Sequence, residues 1–549
     1  MFDEISMAYV PQLICAASHA REHFICVGDF RQLSPIVQAD SNKLLKKDVF
    51  SFLGISDGGD QVYAHPWLVM LNEQRRMHPD ISAFVNRSIY QRLLKNHDCV
   101  LSGKDSIVCK EPLSGHPLTL LDLQGTYCAA AKNSENSRFN VLSAFIACST
   151  AITAYRNGEK DIGIITPYAA QKRLIQAMLR DCPDWEDCKI ACSTVHQFQG
   201  SERNLIIFDA VESYPSPKAG WLMSKNDNGS ITRLVNVAVT RARGKFVAIA
   251  HQGYWKQKFA GMHHTFYELL RFIYERGNVV DVKANALKNY ISSLDHRTET
   301  TLFSDFDEAF QQLKADLLKA KKEILVSVPN IGAFSEKESW ILQHLLACKQ
   351  RGISLKIKAK DIDSLPAEWQ EHALASDNSV MPLISIDKKI VWYGIPIADG
   401  FFKDGSIMFQ TILPVFLRFT GQYSIGAIHS LTALETQTIH GRNQNLLEKN
   451  SNISSGRIGS FSDYLARTQN CSVCKSSMTL ARGRSGKNFL CCSNHKCSNI
   501  DYLSKNLVDD YIYDNEIRCP VCNSRISAKY ANGVRVICEE GHFTNVDKI

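Results

Sequence analysis

Residues 204–211 read NLIIFDAV, an apolar run of strand length closed off by polar neighbours. The same kind of run recurs as HFICVGDF at 23–30, DIGIITPY at 161–168 and GKFVAIAH at 244–251. Each is bounded by polar or Gly-rich turns, and amphipathic helical patterns lie between them. Strands that are apolar along their whole length are buried on both faces, and such strands alternating with helices build a parallel α/β sheet. Residues 1 to about 255 therefore predict an α/β fold, without internal repeats.

The α/β style returns in a separate unit at about 300–430. AFQQLKADLLKAKKEILVSVP (309–329) reads as an amphipathic helix running into a strand. WILQHLLACKQRGISLKIKA (340–359) gives a second helix, a Gly C-cap and a second strand. From 436 to 460 the chain turns polar (TQTIHGRNQNLLEKNSNISSGRIGS), so residues 431–468 are expected to be a linker.

A length of 549 residues calls for three to five domains, since single domains mostly run ~100–200 residues. Lys and Arg number 63 against 56 Asp and Glu, giving +7. That balance suits a nucleic-acid partner but equally suits an ordinary solvated surface. No apolar run reaches the ~18–20 residues that span a bilayer, and the start, MFDEISMAYV, lacks the pattern of a signal peptide. A soluble, cytoplasmic chain without membrane contact is expected. Of the 18 cysteines, eight lie from Cys471 onward. In a reducing compartment, C-x-x-C spacing points to metal rather than disulfides.

The chemistry-bearing residues come in six segments. Asp3-Glu4 is a carboxylate pair suited to Mg2+ and an attacking water, although such a pair alone also suits a solvated turn. ICVGDFRQLSP (25–35) ends a strand at Gly28-Asp29 and presents Gln32 and Pro35. A Gln there sits where ligands lie in α/β sheets. LNEQRRMHPDISAFVNRSIY (71–90) carries Gln74, Arg75, Arg76, Met77, His78 and Pro79. IGIITPYAAQ (162–171) carries Thr166, Pro167, Tyr168 and Gln171. STVHQFQGSERNLIIFDAVES (193–213) carries Thr194, Gln197, Gln199, Gly200 and Glu202, and RLVNVAVTRARGKFVAIAH (233–251) carries Asn236, Thr240, Arg241 and Arg243.

In this order and spacing the six segments resemble motifs II through VI of superfamily-1 helicases, nearest the up-frameshift-like 5′→3′ subgroup. The resemblance covers about residues 1–255. It implies a remnant of a first RecA-like domain at 1–72 and a complete second RecA-like domain at 73–275. It further implies ATP as cofactor, with Asp3 on Mg2+, Glu4 as catalytic carboxylate and Gln32 coupling the γ-phosphate to domain motion. Arg76 and Arg241 would be arginine fingers, which stabilise transition-state charge. Gln74, Arg75, Glu202 and Arg243 would bind the nucleotide, Glu202 through its ribose. Thr166, Pro167, Tyr168 and Thr194 would run along the backbone of single-stranded or duplex nucleic acid, DNA or RNA.

Two features depart from that pattern. Position 75, usually an adenine-stacking aromatic, is Arg75, and a guanidinium also stacks. More importantly, no G-x-x-x-x-G-K-[ST] occurs, and the nearest string, GRSGKN at 483–488, has the wrong spacing. This loop supplies the N–H cradle and Lys for the β/γ-phosphates. The expectation is an N-terminally truncated or split helicase, inactive alone, whose P-loop comes from an upstream-encoded fragment. The alternative is an inactive nucleic-acid-binding adaptor.

The 300–430 unit resembles a phospholipase-D-like domain through AKKEILVSVPNI (320–331), CKQRGISLKIK (348–358) and ISIDKKIVWYGIPIAD (384–399); an unrelated α/β domain is the other reading. Active members need H-x-K-x-x-x-x-D with a His nucleophile. Counted back from Asp387, those positions hold Val380 and Pro382, so a degenerate binding or dimerising module is expected rather than a nuclease. Cys471, Cys474, Cys492 and Cys497 form one soft-ligand set, and Cys519, Cys522, Cys538 and His542 a second, each suited to a tetrahedral Zn2+. These predict zinc ribbons at 469–504 and 515–549. The first resembles the single-strand-binding ribbons of type IA topoisomerases, with Cys491 as a competing ligand. Arg482, Arg484, Lys487, Phe489 and Tyr502 supply the charge and aromatics of a single-strand binder.

Overall fold

The computed structural model describes residues 1–35, 47–56, 63, 65–183, 185–224, 229–294, 299–328, 336–359, 362, 365, 367–375, 381–394, 403–404, 407–408, 413–433, 461–471, 473–474, 476–482, 488–494, 497, 499–514, 517–519, 522, 524, 526–530, 534–538 and 542–544. They fall into two compact units, Met1–Gln444 and Asn445–Ile549.

The amino-terminal segment of the first unit is a small lobe. Helix α1 (Val10–Ser18) begins with Pro at its first turn, where the missing N–H costs nothing. Ile5, Ala8, Leu13, Phe30, Phe50 and Ile55 form its modest core. HFICVGDF, expected to be a strand, contributes only an isolated parallel bridge, Phe2 to Cys26. Among the described residues no further strand pairs with it, and a ladder cannot extend without partners on which its N–H and C=O groups can be spent. Ile25 is left 59% exposed in consequence.

The main body is a six-stranded sheet. Its elements run α2 (Pro79–Ser88), β1 (Leu118–Asp122), α3 (Val141–Arg156), β2 (Ile162–Thr166), α4 (Ala169–Arg180), β3 (Ala191–Thr194), α5 (Val195–Phe198), β4 (Arg203–Asp209), α6 (Ser230–Thr240), β5 (Ala242–Ala250), α7 (Thr265–Arg276) and β6 (Asn278–Val280). The strand order is β6-β1-β5-β4-β2-β3, and every pair is parallel. Strand β6 lies beyond the boundary expected at 275. The period-2 alternation of a strand splits each apolar run between two cores. Leu205, Ile207, Val247 and Ile249 join one. Ile206, Phe208, Phe246 and Ala248 join the other, against α2, α6 and α7.

The second sheet is mixed. It comprises β7 (Thr300–Phe303), β8 (Glu323–Val328), β9 (Ser354–Ala359), β10 (Ala373–Ala375), β11 (Leu383–Ile386), β12 (Ile390–Tyr393) and β13 (Phe416–Phe419), ordered β7-β13-β12-β11-β8-β9-β10. Helices α8 (Phe306–Lys319) and α9 (Glu336–Gln350) accompany it, and α10 (Gln422–Thr432) follows β13. Gly352, at φ +84°, ends α9 in the left-handed conformation that a Cβ disfavours. Leu313, Leu345, Ile357 and Trp392 pack on one face. The other face carries Leu383, Val391, Tyr393, Leu417 and Phe419, which share one continuous core with α3 and α4 of the parallel sheet.

Polar contacts reinforce that shared core. Tyr393 Oη donates to the Tyr127 carbonyl at 2.6 Å. Asp181, just past the end of α4, accepts from the amides of Tyr423 at 3.0 Å and Ser424 at 2.7 Å. Its carboxylate therefore caps the first turn of α10, where it faces the positive end of the helix dipole.

In the second unit, α11 (Phe461–Thr468) precedes two three-stranded antiparallel sheets. These are β14 (Met478–Arg482), β15 (Asn488–Cys492), β16 (Ile500–Tyr502) and, after α12 (Lys505–Asp514), β17 (Ile526–Tyr530), β18 (Val534–Cys538) and β19 (Phe543–Thr544). Part of the expected linker is thus ordered: the Phe461 ring packs at a tilt on Tyr511, 4.9 Å between centroids, so 461–468 belongs with the sheets. The rest of that linker, 434–460, lies outside the described residues. Among the described residues no helix is long and apolar enough to cross a membrane.

Gly421 is pressed against Asp181 so closely that a Cβ would collide with the carboxylate. Gly421→Ala should therefore cost about 2 kcal/mol, the usual penalty of one forced methyl. Asp181→Ala, which removes the cap, should cost about 1 kcal/mol. Denaturant titration followed by circular dichroism measures both; equal stability of all three proteins would refute the contact.

Candidate nucleotide cleft and metal centres

The parallel sheet gathers the expected nucleotide residues at the starts of β4 and β5. Glu202 immediately precedes β4, and Arg241 precedes β5, whose second residue is Arg243. Arg243 Nε donates to Glu202 Oε1 at 2.9 Å, and Arg76 Nε pairs with Glu202 Oε2. Arg243 also faces Asp161 at 3.4 Å. Burial raises the Glu202 carboxyl's affinity for a proton, but Arg243 and Arg76 outweigh it and hold the group below its ordinary range.

Arg241 is 3% exposed, and its guanidinium donates to Gln32 Oε1 at 2.7 Å and to the Ser201 carbonyl at 3.3 Å. Burial lowers its proton affinity, and Arg76 lies near enough to lower it further. Gln199 Nε2 donates to Glu4 Oε2 at 3.3 Å, while Asp3 accepts from the Glu4 amide at 2.8 Å. Glu4, Gln32, Arg76, Arg241, Glu202 and Arg243 are thus brought close together, and Asp3 adjoins Glu4. Buried Arg241 Nε, Gln199 Oε1 and Ser6 Oγ have no hydrogen-bond partner among the described residues. Paired guanidiniums with spare N–H groups, opposite a carboxylate pair, fit a nucleotide triphosphate with Mg2+.

Two expected nucleotide ligands are placed otherwise. Gln74 spends its amide within its own loop: Oε1 accepts from the Arg76 and Met77 amides at 3.0 and 2.8 Å, and Nε2 reaches Asn96 at 2.6 Å. It fixes the Arg76 loop rather than facing a ligand. Arg75 is exposed and paired with Glu73 at 3.0 Å. Sequence reasoning also missed Arg233 and Tyr90. Arg233 on α6 donates to the Phe30 carbonyl at 3.1 Å and faces Asp48 at 3.5 Å. Tyr90 Oη donates to Asp29 at 2.5 Å and accepts from Asn236 at 2.8 Å. The apolar neighbours of these residues gave no signal that they would bind the 25–35 segment to α2 and α6.

The expected nucleic-acid residues need a correction. Thr166, Pro167 and Tyr168 are buried. The Tyr168 hydroxyl donates to Glu212 Oε1, whose other oxygen accepts from Arg138 at 2.7 Å. Burial, then the Glu212 charge, holds the phenol well above its usual range. Its ring is consumed by the interior, because a buried phenol beside a carboxylate must donate to it. Only Thr194, half-buried before α5, keeps partial exposure. Gln171 is fully buried and bonds Asn140, Ser143 and Asp209.

In the carboxy-terminal unit, ligand atoms of Cys471, Cys474, Cys492 and Cys497 lie within 4.8 Å of one another, as do those of Cys519, Cys522, Cys538 and His542. Sulfur separations are 3.8 Å for Cys471–Cys497, 3.3 Å for Cys474–Cys492 and 3.6 Å for Cys522–Cys538. Tetrahedral Zn2+ with ~2.3 Å bonds sets its sulfurs about 3.8 Å apart, so both sets fit that ion. Cys491 points to the opposite face of β15, 3.2 Å from Thr479 Oγ1, and does not compete. Arg484 and Lys487 lie outside the described residues, as do the side chains of Arg482 and Tyr502; Phe489 is half-buried.

Asp387 occupies a tight turn between β11 and β12 at φ 51°. Its carboxylate accepts from the amides of Lys321, Lys322 and Glu323 at 2.8, 2.7 and 3.0 Å. It ties a hairpin to β8. Val380 lies outside the described residues, and Pro382 directly precedes β11.

Residues 61–253 match the sequence family described as AAA domain. The chain is also 23% identical over 358 residues to ATP-dependent helicase upf1 of Schizosaccharomyces pombe, covering 62% of this chain and 36% of that protein. It is 27% identical over 298 residues to the DNA polymerase alpha-associated DNA helicase A of the same yeast, covering 52% and 41%. The chain thus spans less than half the length of these two relatives. Among solved structures, NucT from Helicobacter pylori aligns with 16% identity and a TM-score of 0.18, covering 24% of this chain and 92% of that one; so low a score establishes no common fold. The AAA-domain match encloses Arg76, Glu202, Arg241 and Arg243 but begins after Asp3, Glu4 and Gln32.

Two outcomes follow from these sites. Elemental analysis should return two zinc ions per chain, matching the two ligand sets, and Cys474→Ser should return one; an unchanged count in the variant would exclude Cys474 as a ligand. At the end of β4, burial pushes the Asp209 carboxyl up to about 6, against about 4 in an unfolded chain. The folded state then binds the proton more tightly, so this contribution is full below about pH 4 and is lost as pH rises through 6, by about 3 kcal/mol. Asp122, likewise raised to about 6, adds the same trend. Asp209→Asn should flatten the fall in stability between pH 4 and 6.5; a slope identical to the parent's would contradict the burial argument.

Proposed function

We propose that this chain is the second-lobe portion of an ATP-dependent nucleic-acid helicase or translocase of the up-frameshift-like superfamily-1 type. The observation that carries the reading is the convergence of Arg76 and Arg243 on Glu202, with Arg241 beside them reaching Gln32 and Gln199 reaching Glu4. In the bound state Arg76 and Arg241 would turn to the triphosphate, Asp3 would hold Mg2+, and Glu4 would polarise the attacking water. ATP and Mg2+ supply the phosphoryl-transfer chemistry; the chain's residues position and neutralise charge. Its similarity to proteins named as helicases supports the same conclusion.

The sequence has no G-x-x-x-x-G-K-[ST], so we assign the phosphate cradle to an upstream-encoded segment. The same observation favours a second reading, an inactive nucleic-acid-binding adaptor. We further infer that residues 300–430 form a non-catalytic phospholipase-D-like module, because the one acidic candidate, Asp387, is saturated by three backbone amides. Residues 469–504 and 515–549 are read as zinc ribbons.

The test is single-strand-stimulated ATP hydrolysis by this chain and by a polypeptide extended upstream through a P-loop. Turnover is expected only in the longer protein, and Arg241→Ala in it should reduce kcat by about a thousandfold, as loss of an arginine finger does. Turnover by the shorter chain would overturn the assignment of the cradle. Silence in both would favour the adaptor.

A further inference from the structure

Gly220 and Met223 are buried at either side of Trp221, yet Trp221 itself is 77% exposed. The Gly220 amide donates to Glu212 Oε1 at 2.8 Å. A Cβ at this position would run into the Tyr168 hydroxyl and the Arg138 guanidinium. The Met223 side chain is fully buried, and its carbonyl lies 2.9 Å from His264 Nε2. Both flanks of the indole are therefore pinned to the interior, and Trp221–Ser224 forms a single helical turn between them.

A large aromatic ring held on a rigid platform and left in water offers a flat face on which a partner can lie. The charge around it indicates what. Arg138 donates to the Lys218 carbonyl at 2.7 Å, which sets the exposed Lys218 three residues ahead of the indole. Exposed Lys132 also lies near enough to Glu212 to favour its charged form. Cations flanking an exposed aromatic complement a strand of phosphates with stackable bases, and every base offers a π-face. The platform stands at the carboxyl ends of β2 and β4, where α/β sheets receive their ligands. Tyr168, buried beneath, serves as its support.

We propose that Trp221 is a base-stacking residue for single-stranded nucleic acid, positioned by the buried Arg138–Glu212–Tyr168 network through Gly220. The inference rests on the nucleic-acid reading above and names a contact within it. It also gives the buried ion pair a role, since Arg138 and Glu212 (side chains 6% and 0% exposed) bring no surface charge of their own.

The test uses the full chain and fluorescein-labelled oligo(dT) and oligo(U), read by anisotropy. Trp221→Ala should weaken binding about tenfold, the usual effect of removing one stacking partner, whereas Trp221→Phe should stay within about threefold of the parent. Thermal melting of both variants should match the parent, because the indole is not packed. The two oligonucleotides distinguish a DNA track from an RNA one. Parental binding with unchanged affinity in Trp221→Ala would overturn the stacking role alone. Absence of binding by the parent to either strand would overturn it together with the nucleic-acid reading.

Discussion

A single carboxylate, that of Glu202, sets the geometry of the cleft. Arg76 arrives from a loop ahead of α2, and Arg243 from β5, and both settle on Glu202. Without an anion between them these guanidiniums would repel, and the buried Arg241 beside them would compound the cost. Glu202 supplies that anion, and its partly exposed position keeps the pairing exchangeable. A phosphate could thus compete for the same cations without a buried charge being left unpaired. The strand starts hold these groups in place because β4 and β5 are themselves locked in the centre of the sheet, apolar on both faces.

The same sheet explains why the mixed α/β unit cannot be treated as a loosely tethered appendage. Its β11, β12 and β13 contribute side chains to the core that also holds α3 and α4. Non-directional apolar burial brings the two sheets together, and directional contacts set their register: Tyr393 on the Tyr127 carbonyl, and Asp181 on the first amides of α10. Helix α4 begins at the Tyr168 platform and ends at Asp181.

The carboxy-terminal sheets follow a different physics. Each has three short strands and little apolar core, too small to offset the entropy of ordering its chain. Two sets of four soft ligand atoms, each drawn together within 4.8 Å, are spaced to suit a tetrahedral metal ion, which would add cohesion there.

The sequence by itself determined the strands, the arginines and the cysteine sets, because each has a local signature. Apolar runs such as NLIIFDAV and GKFVAIAH need no knowledge of their partners to be buried, and C-x-x-C spacing is itself ligand geometry. The tertiary structure alone decided that Tyr168 is a buried support rather than a surface contact, that Gln74 braces its own loop, and that Asp387 ties a hairpin. It also decided that HFICVGDF makes one bridge instead of a strand. For Tyr168 and Asp387 the outcome depends on a partner far away in the chain, Glu212 and Lys321, and Asn96 adds a distant partner for Gln74. A side chain's polarity predicts that it needs a partner, but only packing chooses which one it meets.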